Sequence, residues 1–169
     1  MTLVSWPTPE HPMPDSDLAP IKRMIIERAC EQLSIAYARA VDFRDYDAFV
    51  ELFTDDALLD LGMQVKGKKA IRESMQKRSD EIRSRHVLTN IFIEVQDSQH
   101  ARGMSYLTLY RHVGTESLRA DIPVASTLPT AVGHYDDTFV LTDAGWRFKT
   151  RTLKVAFRSP NGAKPNPAG

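Results

Sequence analysis

Residues 37–53 read YARAVDFRDYDAFVELF and contain two amphipathic segments separated by a polar break. Apolar residues recur at i, i+3, i+4, i+7 and i+8 before the break and repeat a similar spacing after it, which is typical of half-buried helices. This spacing is carried by Leu33, Ala36, Tyr37, Ala40 and Val41 before the break, and by Tyr46, Phe49, Val50 and Phe53 after it. The stretch therefore predicts the end of one helix, a tight turn and a short second helix.

Asp42 is a carboxylate in an unfavourable position. It falls in the last turn of the first predicted helix, where the helix dipole disfavours negative charge, and at the edge of the buried face. A charge that breaks a local rule at the rim of a core is either a cap or a functional group. Asp42 could cap the short helix that follows, but Asp45 or Asp47 could equally do so, which would leave Asp42 free to point inward.

Composition excludes several classes of protein. The chain has 169 residues, with 22 Lys plus Arg and 22 Asp plus Glu, so it suits one domain and gives no support for nucleic-acid binding. The single cysteine, Cys30, lies on the apolar stripe, so we expect a core residue and no disulfide or thiolate metal site. No apolar run could cross a membrane and no secretion signal is visible, so we expect a cytoplasmic protein without a membrane partner.

The rest of the chain predicts one domain between two extended termini. Residues 1–20 hold five prolines and predict an extended arm, residues 21–157 form the domain, and residues 158–169 predict a flexible tail. The first helix is expected to begin at about residue 17–21 and to end at Val41. Residues 54–57 are expected to close the second helix. The third helix is expected to cover residues 68–83, with Arg78 and Ile82 on its buried side. Apolar alternation predicts strands at 57–61, 86–95, 101–112, 132–141 and 146–157.

Helices followed by strands that are joined by hairpins predict an α+β architecture. We expect one curved antiparallel (mixed) sheet with the N-terminal helices on its concave face. In the strand 86–95, alternation predicts one face with Val87, Thr89, Ile91, Ile93 and Val95, and another with His86, Leu88, Asn90, Phe92 and Glu94. Residues 114–129 form a long connection, which is typical of a lid, a rim or an interface.

Several motifs in this order resemble a known superfamily. They are DFRDYD at 42–47, LFTDDA at 52–57, GKKAI at 67–71, RH at 85–86, YDDTF at 135–139 and GWRF at 145–148. Over about residues 21–157, the chain resembles the SnoaL-like branch of the nuclear-transport-factor-2-like superfamily. The resemblance implies a cone-shaped sheet wrapped around helices, with an interior pocket. That superfamily includes dehydratases, a dehydrochlorinase, ketosteroid isomerase, polyketide cyclases and pocket proteins without assigned activity, so the fold does not settle the function.

The resemblance also implies site residues. By position, Asp42 and His86 are similar to an Asp–His pair of scytalone dehydratase, bile-acid 7α-dehydratase and hexachlorocyclohexane dehydrochlorinase. The bile-acid enzyme also has a tyrosine five residues before its Asp, which Tyr37 matches. Val41, Leu61 and Ser105 stand at the approximate positions of other scytalone dehydratase pocket residues. Its water-assisted mechanism is therefore not implied, whereas the general acid–base role of the pair is.

The chemistry of these residues is consistent with that role. Neutral imidazole can take a proton at pH 7, and a carboxylate on one ring nitrogen would fix the tautomer and stabilise the imidazolium. We therefore predict His86 as the base, Asp42 as its partner and Tyr37 as a hydrogen-bond donor to a developing oxyanion. The alternatives are a surface histidine at the end of a charged helix and a Tyr37 that belongs to the core.

A second group of residues is expected to bind the substrate. Asn90 could orient a substrate carbonyl or hydroxyl, with core packing and edge solvation as alternatives. An adaptable apolar wall would include Phe53, Met63, Met75, Phe92 and Tyr135. Asp137 shares a strand face with Tyr135. If that face is buried, its carboxylate needs a partner, which Arg151 or Lys154 could supply. We favour a structural ion pair over a second acid–base group. A core filled by side chains is the alternative for the whole wall.

The sequence thus predicts a lyase that needs no cofactor, since no metal-ligand spacing and no glycine-rich phosphate loop is present. The substrate would be a small apolar hydroxy or carbonyl compound of steroid, polyketide or aromatic type, which loses water or another β-leaving group or undergoes retro-aldol cleavage. An isomerase or cyclase with the same base, and a non-catalytic ligand-binding or dimerisation module, are the alternatives. Met104, Tyr106 and Tyr110 on the outer sheet face predict a homodimer or homotrimer.

Overall fold

The computed structural model describes residues 18–125 and 128–159, so the predicted arm up to residue 17 and the predicted tail from residue 160 lie outside the described residues. Its α-helices are α1 (Pro20–Asp42), α2 (Tyr46–Glu51) and α3 (Lys68–Gln76). Pro20 occupies the start of α1. The first N–H groups of a helix have no hydrogen-bond partner within it, so the missing N–H of proline costs no hydrogen bond there. Arg44 adopts a φ of +62° between α1 and α2. The predicted helix, break and second helix are therefore confirmed.

The strands form one open six-stranded sheet. They are β1 (Phe53–Asp60), β2 (Gln64–Lys66), β3 (Ile82–Val95), β4 (His100–Val113), β5 (Ala131–Thr142) and β6 (Gly145–Arg158). Their order across the sheet is β2-β1-β6-β5-β4-β3, and every neighbouring pair is antiparallel except β1 and β6, which are parallel. The predicted α+β architecture with a mixed sheet is confirmed.

Four register shifts interrupt three of these strand pairings, and such irregularities bend a sheet. Two of them lie between β5 and β6, one beside Gly133 and one between Thr138 and Phe139. A side chain at Gly133 would collide with the carbonyl oxygen of Lys154 on β6, so this close approach requires glycine. The inward face of the bent sheet packs against α1, which contacts β3, β4 and β6.

Two element boundaries differ from the prediction. The second helix ends at Glu51, and the chain enters β1 at Phe53, where Phe148 of β6 donates its N–H to the carbonyl of Leu52 at 2.9 Å. The third helix ends at Gln76, and β3 begins at Ile82. Ile82 and Ser84 are both buried at a spacing of two, which is the period of a strand. The strand therefore begins within the charged segment that had been predicted to be helical.

A bulge in β3 overturns the predicted faces of that strand. Asn90 has a φ of +49°, and the pairing with β4 shifts register between Thr89 and Phe92. Because one extra residue reverses the alternation, the inward face passes from Ser84, His86 and Leu88 to Ile93 and Val95. The prediction that one face runs unbroken from His86 to Glu94 is therefore wrong.

The core lies between α1, α2, α3 and the inward face of the sheet. Its centre is an aromatic cluster in which neighbouring ring centroids lie 4.9–6.3 Å apart, formed by Tyr37, Phe49, Phe53, Tyr135, Phe139 and Phe148. Cys30 is fully buried beside it, as predicted, and burial followed by the charge of Asp137 raises the pKa of its thiol to about 12. The fold therefore positions Tyr37 at the junction of helix and sheet.

The outer face of the sheet exposes apolar side chains. Val87, Tyr106 and Tyr110 are among the large residues of this face that are at least two-fifths exposed. The homodimer or homotrimer that this face suggests stays a prediction. None of the helices within the described ranges is long and apolar enough to cross a lipid bilayer.

Candidate functional site

A partly enclosed cavity lies where α1 and α3 meet the inward ends of β3, β4, β5 and β6. Its volume is about 50 Å³. Apolar side chains form most of the wall, and the polar groups come from two tyrosines, one histidine, one threonine and two arginines. The cavity is lined by Tyr37, Val41, Phe49, Leu61, Met75, His86, Leu109, Arg111, Thr130, Ala131, Tyr135, Leu153, Val155 and Arg158.

Asp42 reaches the edge of this cavity from the last turn of α1. Its carboxylate accepts three hydrogen bonds from β3: the hydroxyl of Ser84 at 2.8 Å, the backbone N–H of His86 at 2.7 Å, and the Nδ1 of His86 at 2.7 Å. These bonds offset the unfavourable end of the helix dipole. Asp45 caps α2 by accepting from the N–H of Ala48 at 3.1 Å, so the alternative in which Asp42 is the cap is wrong.

His86 has a defined tautomer in this arrangement. An ionised carboxylate can only accept, so Nδ1 of His86 carries the proton that it donates to Asp42, and Nε2 keeps a lone pair. Only 6% of each side chain is exposed, and His86 forms part of the cavity wall. The alternative of a surface histidine is therefore wrong, because the strand begins four residues before His86 and turns its ring inward.

Burial sets the protonation of the pair. Burial, and then the charges of Arg111 and Arg78, lower the pKa of His86 more than the hydrogen bond to Asp42 raises it. For Asp42, burial alone would raise the pKa, but the hydrogen bonds from His86 and Ser84 outweigh it, so the pKa lies below its usual value. At neutral pH the pair is a neutral imidazole held by a carboxylate, which is the state of a general base.

Tyr37 stands beside His86 in the cavity wall. The two ring centroids are 6.3 Å apart with the rings nearly perpendicular, and the ring of Tyr135 lies on another side of Tyr37 with its centroid 5.7 Å away. Burial raises the pKa of Tyr37, so its hydroxyl keeps its proton. A phenol that retains its own proton can donate that proton to an oxygen in the cavity.

Asp137 is buried behind this wall and does not line the cavity. Its carboxylate accepts two hydrogen bonds from Arg151, from Nε at 2.8 Å and from Nη2 at 2.7 Å, and the same guanidinium donates to Ser34 at 3.2 Å. The guanidinium also lies 4.2–4.3 Å from the ring centroids of Tyr37, Tyr135 and Phe148. This bidentate ion pair supports the aromatic wall from behind, as the favoured structural interpretation predicted.

The predicted substrate-binding residues divide into three groups. Met75 and Tyr135 line the cavity, whereas Phe53 is buried in the aromatic cluster, where its ring centroid is 6.3 Å from that of Tyr37. Asn90 and Phe92 are exposed because of the β3 bulge, and Phe92 is 63% exposed. Met63 is 55% exposed in the turn between β1 and β2. The last three residues are therefore outside the cavity.

Sequence reasoning missed two arginines of the cavity wall. Arg111 follows Leu107 and Leu109 in the inward alternation of β4, and that spacing could have identified it. Arg158 ends β6 but had been assigned to the flexible tail. Within the described ranges, no group of three or more His, Cys, Asp or Glu side chains could hold a metal ion.

Comparison with known proteins bears on family and fold. A model of the SnoaL-like domain matches residues 23–152. No protein of curated function matches the chain in sequence. Among solved structures, a scytalone dehydratase-like protein from Novosphingobium aromaticivorans has a TM-score of 0.71 at 19% identity, with 86% of this chain and 94% of that chain covered.

Other similar structures differ in their described activities. Hexachlorocyclohexane dehydrochlorinase type 3 from Novosphingobium barchaimii has a TM-score of 0.68 at 16% identity, over 86% of this chain and 97% of that chain. An aromatic ring hydroxylase-like protein from Novosphingobium aromaticivorans has a TM-score of 0.66 at 26% identity, over 87% of this chain and 100% of that chain. The comparisons therefore establish the cystatin-like, nuclear-transport-factor-2-like fold, and they do not select one reaction.

Proposed function

We propose that this chain, which belongs to the SnoaL-like domain family, is a lyase that removes a proton from carbon with an Asp–His pair and needs no cofactor. The observation that carries the proposal is the buried hydrogen bond of 2.7 Å between Asp42 and Nδ1 of His86, which leaves Nε2 as a base in the cavity wall. Structural neighbours described as a dehydratase-like protein and a dehydrochlorinase support elimination as the type of reaction.

The proposed reaction begins at a C–H bond next to a carbonyl group of the substrate. Nε2 of His86 takes this proton, and Asp42 stabilises the imidazolium that forms. The hydroxyl of Tyr37 donates a hydrogen bond to the carbonyl oxygen as it gains charge. The electron pair then forms the C=C bond as the β-hydroxyl leaves, and the imidazolium returns its proton to that oxygen, so that water is released and His86 is again neutral.

The cavity wall points to a largely apolar substrate that carries this carbonyl. Leu61, Leu109 and Leu153 line the cavity together with the polar side chains of Tyr37 and His86. The volume of about 50 Å³ is smaller than the ~150 Å³ that accommodates benzene in an engineered cavity. A ring-sized substrate therefore requires the wall to widen, and the unbranched side chains of Met75, Arg111 and Arg158 can change rotamer to allow it.

The test follows proton abstraction directly. In D₂O, the wild-type protein is incubated with a panel of β-hydroxy carbonyl compounds of aromatic, polyketide and steroid type. Ultraviolet absorbance detects the unsaturated product, and NMR of the recovered substrate detects deuterium at the α-carbon, which enters when a solvent deuteron returns to that carbon before the hydroxyl leaves. We expect the unsaturated product with wild type and neither signal with His86→Gln. Product formed by His86→Gln as fast as by wild type would contradict the proposal, and α-deuteration by wild type without an unsaturated product would show proton abstraction without elimination, which contradicts a lyase.

A further inference from the structure

The cavity wall carries positive charge for which the described residues form no ion pair. Among the fourteen described residues that line it, Arg111 and Arg158 are cationic and none is Asp or Glu. The carboxylate of Asp42, which holds His86, is occupied by its hydrogen bonds with Ser84 and His86. A cation in a partly apolar cavity is costly unless an anion or a water accompanies it.

Arg111 is the residue that could receive such an anion. Its side chain leaves β4 on the inward face, and its Nε is buried without a hydrogen-bond partner among the described residues. A guanidinium presents Nε–H and one Nη–H along one edge, which matches the two oxygens of a carboxylate. The unpartnered Nε therefore leaves one donor of the edge that binds carboxylates unsatisfied.

The surroundings of Arg111 reinforce this charge. Arg78 is 5% exposed, donates to Ser84 at 3.1 Å, and has its own Nε without a partner in the described part of the chain. Arg83 and Arg85 line the adjacent groove together with Arg111. Burial, and then the charge of Arg78, lower the pKa of Arg111, as is expected for a cation without a counter-ion. The whole chain has zero net charge, so this concentration is local.

We infer that the substrate of this cavity is an organic acid whose carboxylate binds Arg111, with Arg158 beside it at the open side. The inference rests on the proposed function, because it identifies the class of substrate for the same base. The carboxylate anchors the molecule by its charged end, and the apolar wall holds the carbon next to Nε2 of His86. An anion on Arg111 also removes a charge that disfavours the imidazolium, so binding of the correct substrate strengthens the base.

The first experiment measures binding without turnover. Cinnamate and cinnamamide have nearly the same shape and differ in charge, so calorimetric titration of both isolates the contribution of the carboxylate. We expect wild type to bind cinnamate at least about tenfold more tightly than cinnamamide. Arg111→Gln should remove this preference and Arg158→Gln should weaken it. Arg28→Gln, which alters an exposed ion pair with Glu31 on α1, is the matched control and should retain the preference.

Four outcomes would overturn the inference: equal affinities in wild type, no binding of cinnamate at about 10 mM, a preference that survives in Arg111→Gln, or a preference that Arg28→Gln also loses. Arg158 is exposed, so Arg158→Gln keeps the test usable if Arg111→Gln does not fold. Arg111→Lys, which keeps the charge but loses the bidentate edge, should restore part of the preference.

The same titration on His86→Gln separates this inference from the proposed function. If the preference for cinnamate persists in wild type and His86→Gln but no β-hydroxy acid is converted, the inference stands and the lyase proposal fails. If β-hydroxy acids are converted as fast by Arg111→Gln as by wild type, the lyase proposal stands and the inference fails.

Discussion

Two Asp–His pairs in this chain make nearly the same contacts in opposite surroundings. Asp42 accepts from Nδ1 of His86 at 2.7 Å and from the backbone N–H of the same residue at 2.7 Å. Asp97 accepts from Nδ1 of His100 at 2.9 Å and from the backbone N–H of the same residue at 2.8 Å. The side chains are 6% exposed in the first pair, whereas those of His100 and Asp97 are 54% and 46% exposed.

The difference shows that the contacts alone do not make a catalytic pair. Asp97 and His100 are three residues apart in the turn between β3 and β4, so local geometry forms their bond. Asp42 and His86 are 44 residues apart, and the packing of α1 on β3 brings them together. Of the two pairs, the one formed by Asp42 and His86 is removed from water, has a fixed tautomer and faces a cavity, so its free nitrogen is the one placed to act on a molecule in that cavity.

The largest expected effect is on turnover. Replacing His86 by Gln should reduce turnover of any substrate found in the panel by about 1,000-fold, because a positioned general base contributes about 10²–10⁴-fold. His100→Gln should leave turnover unchanged. Initial rates at saturating substrate measure both. Equal losses in the two variants would show that burial does not distinguish the pairs.

The second prediction concerns the free energy of unfolding. Asp42→Ala leaves the Ser84 hydroxyl and two donors of His86 without their acceptor in a buried place, so we expect a loss of about 3 kcal/mol. Asp97→Ala leaves its donors in water and should lose about 1 kcal/mol or less. Urea denaturation followed by circular dichroism gives both values. A loss for Asp97→Ala as large as that for Asp42→Ala would contradict the comparison.

The third prediction concerns pH. The pKa of His86 is lowered in the fold by burial and by Arg111 and Arg78, so below about pH 6.5 the unfolded chain binds more protons at this residue than the folded one. Stability should therefore fall as the pH drops from about 6.5 towards the lowered value, by at most about 1.4 kcal/mol per pH unit. Asp42, whose pKa is also lowered, adds a loss only below about pH 4.

His86→Gln should remove the slope just below pH 6.5, and His100→Gln should retain it. Thermal melts at half-unit pH steps measure the slope in each variant. If His86→Gln keeps the full slope, His86 is not the group that is held neutral by the fold.

The smallest expected effect is that of Ser84→Ala. This change removes the hydroxyl that donates to Asp42 at 2.8 Å and accepts from Arg78 at 3.1 Å, while His86 keeps its own two bonds to the carboxylate. We expect a loss of about 1 kcal/mol in stability and a decrease in turnover of less than about tenfold. Ser79→Ala, which affects an exposed turn contact with the N–H of Glu81, is the control. A loss of turnover as complete as in His86→Gln would mean that Ser84 takes part in the chemistry.

Much of the fold could be predicted from local patterns. The break between α1 and α2 follows from residues 37–53, and the inward face of β4 follows from the alternation of Ser105, Leu107 and Leu109. The sequence also shows that α1 ends with a carboxylate, Asp42, at the edge of its buried face. Its contact with His86 was inferred from a family resemblance, since no local rule joins residues 44 positions apart.

The missed features depend on tertiary structure. The positive φ of Asn90 reverses the faces of β3, and no residue pattern around it predicts a bulge, so Asn90 and Phe92 were expected on the wrong side. Arg111 was overlooked because an arginine in an apolar alternation is normally assigned to the surface. Its role in the cavity wall follows only from the tertiary structure, in which the ends of β4, β5 and β6 line the same cavity.

The bulge at Asn90 also limits how this chain can change in length. His86 faces the cavity on one side of it, and Ile93 and Val95 face the core on the other, in opposite phases of the pleat. Deleting one residue between positions 87 and 92 would remove the bulge and leave a regular strand in which His86, Ile93 and Val95 all still face inward. Straightening the strand at its present length would instead turn either His86 or the pair Ile93 and Val95 outward. In relatives of this chain that keep the same base and the same core, the spacing between these positions should therefore be either the present one with a bulge or one residue shorter with a regular strand.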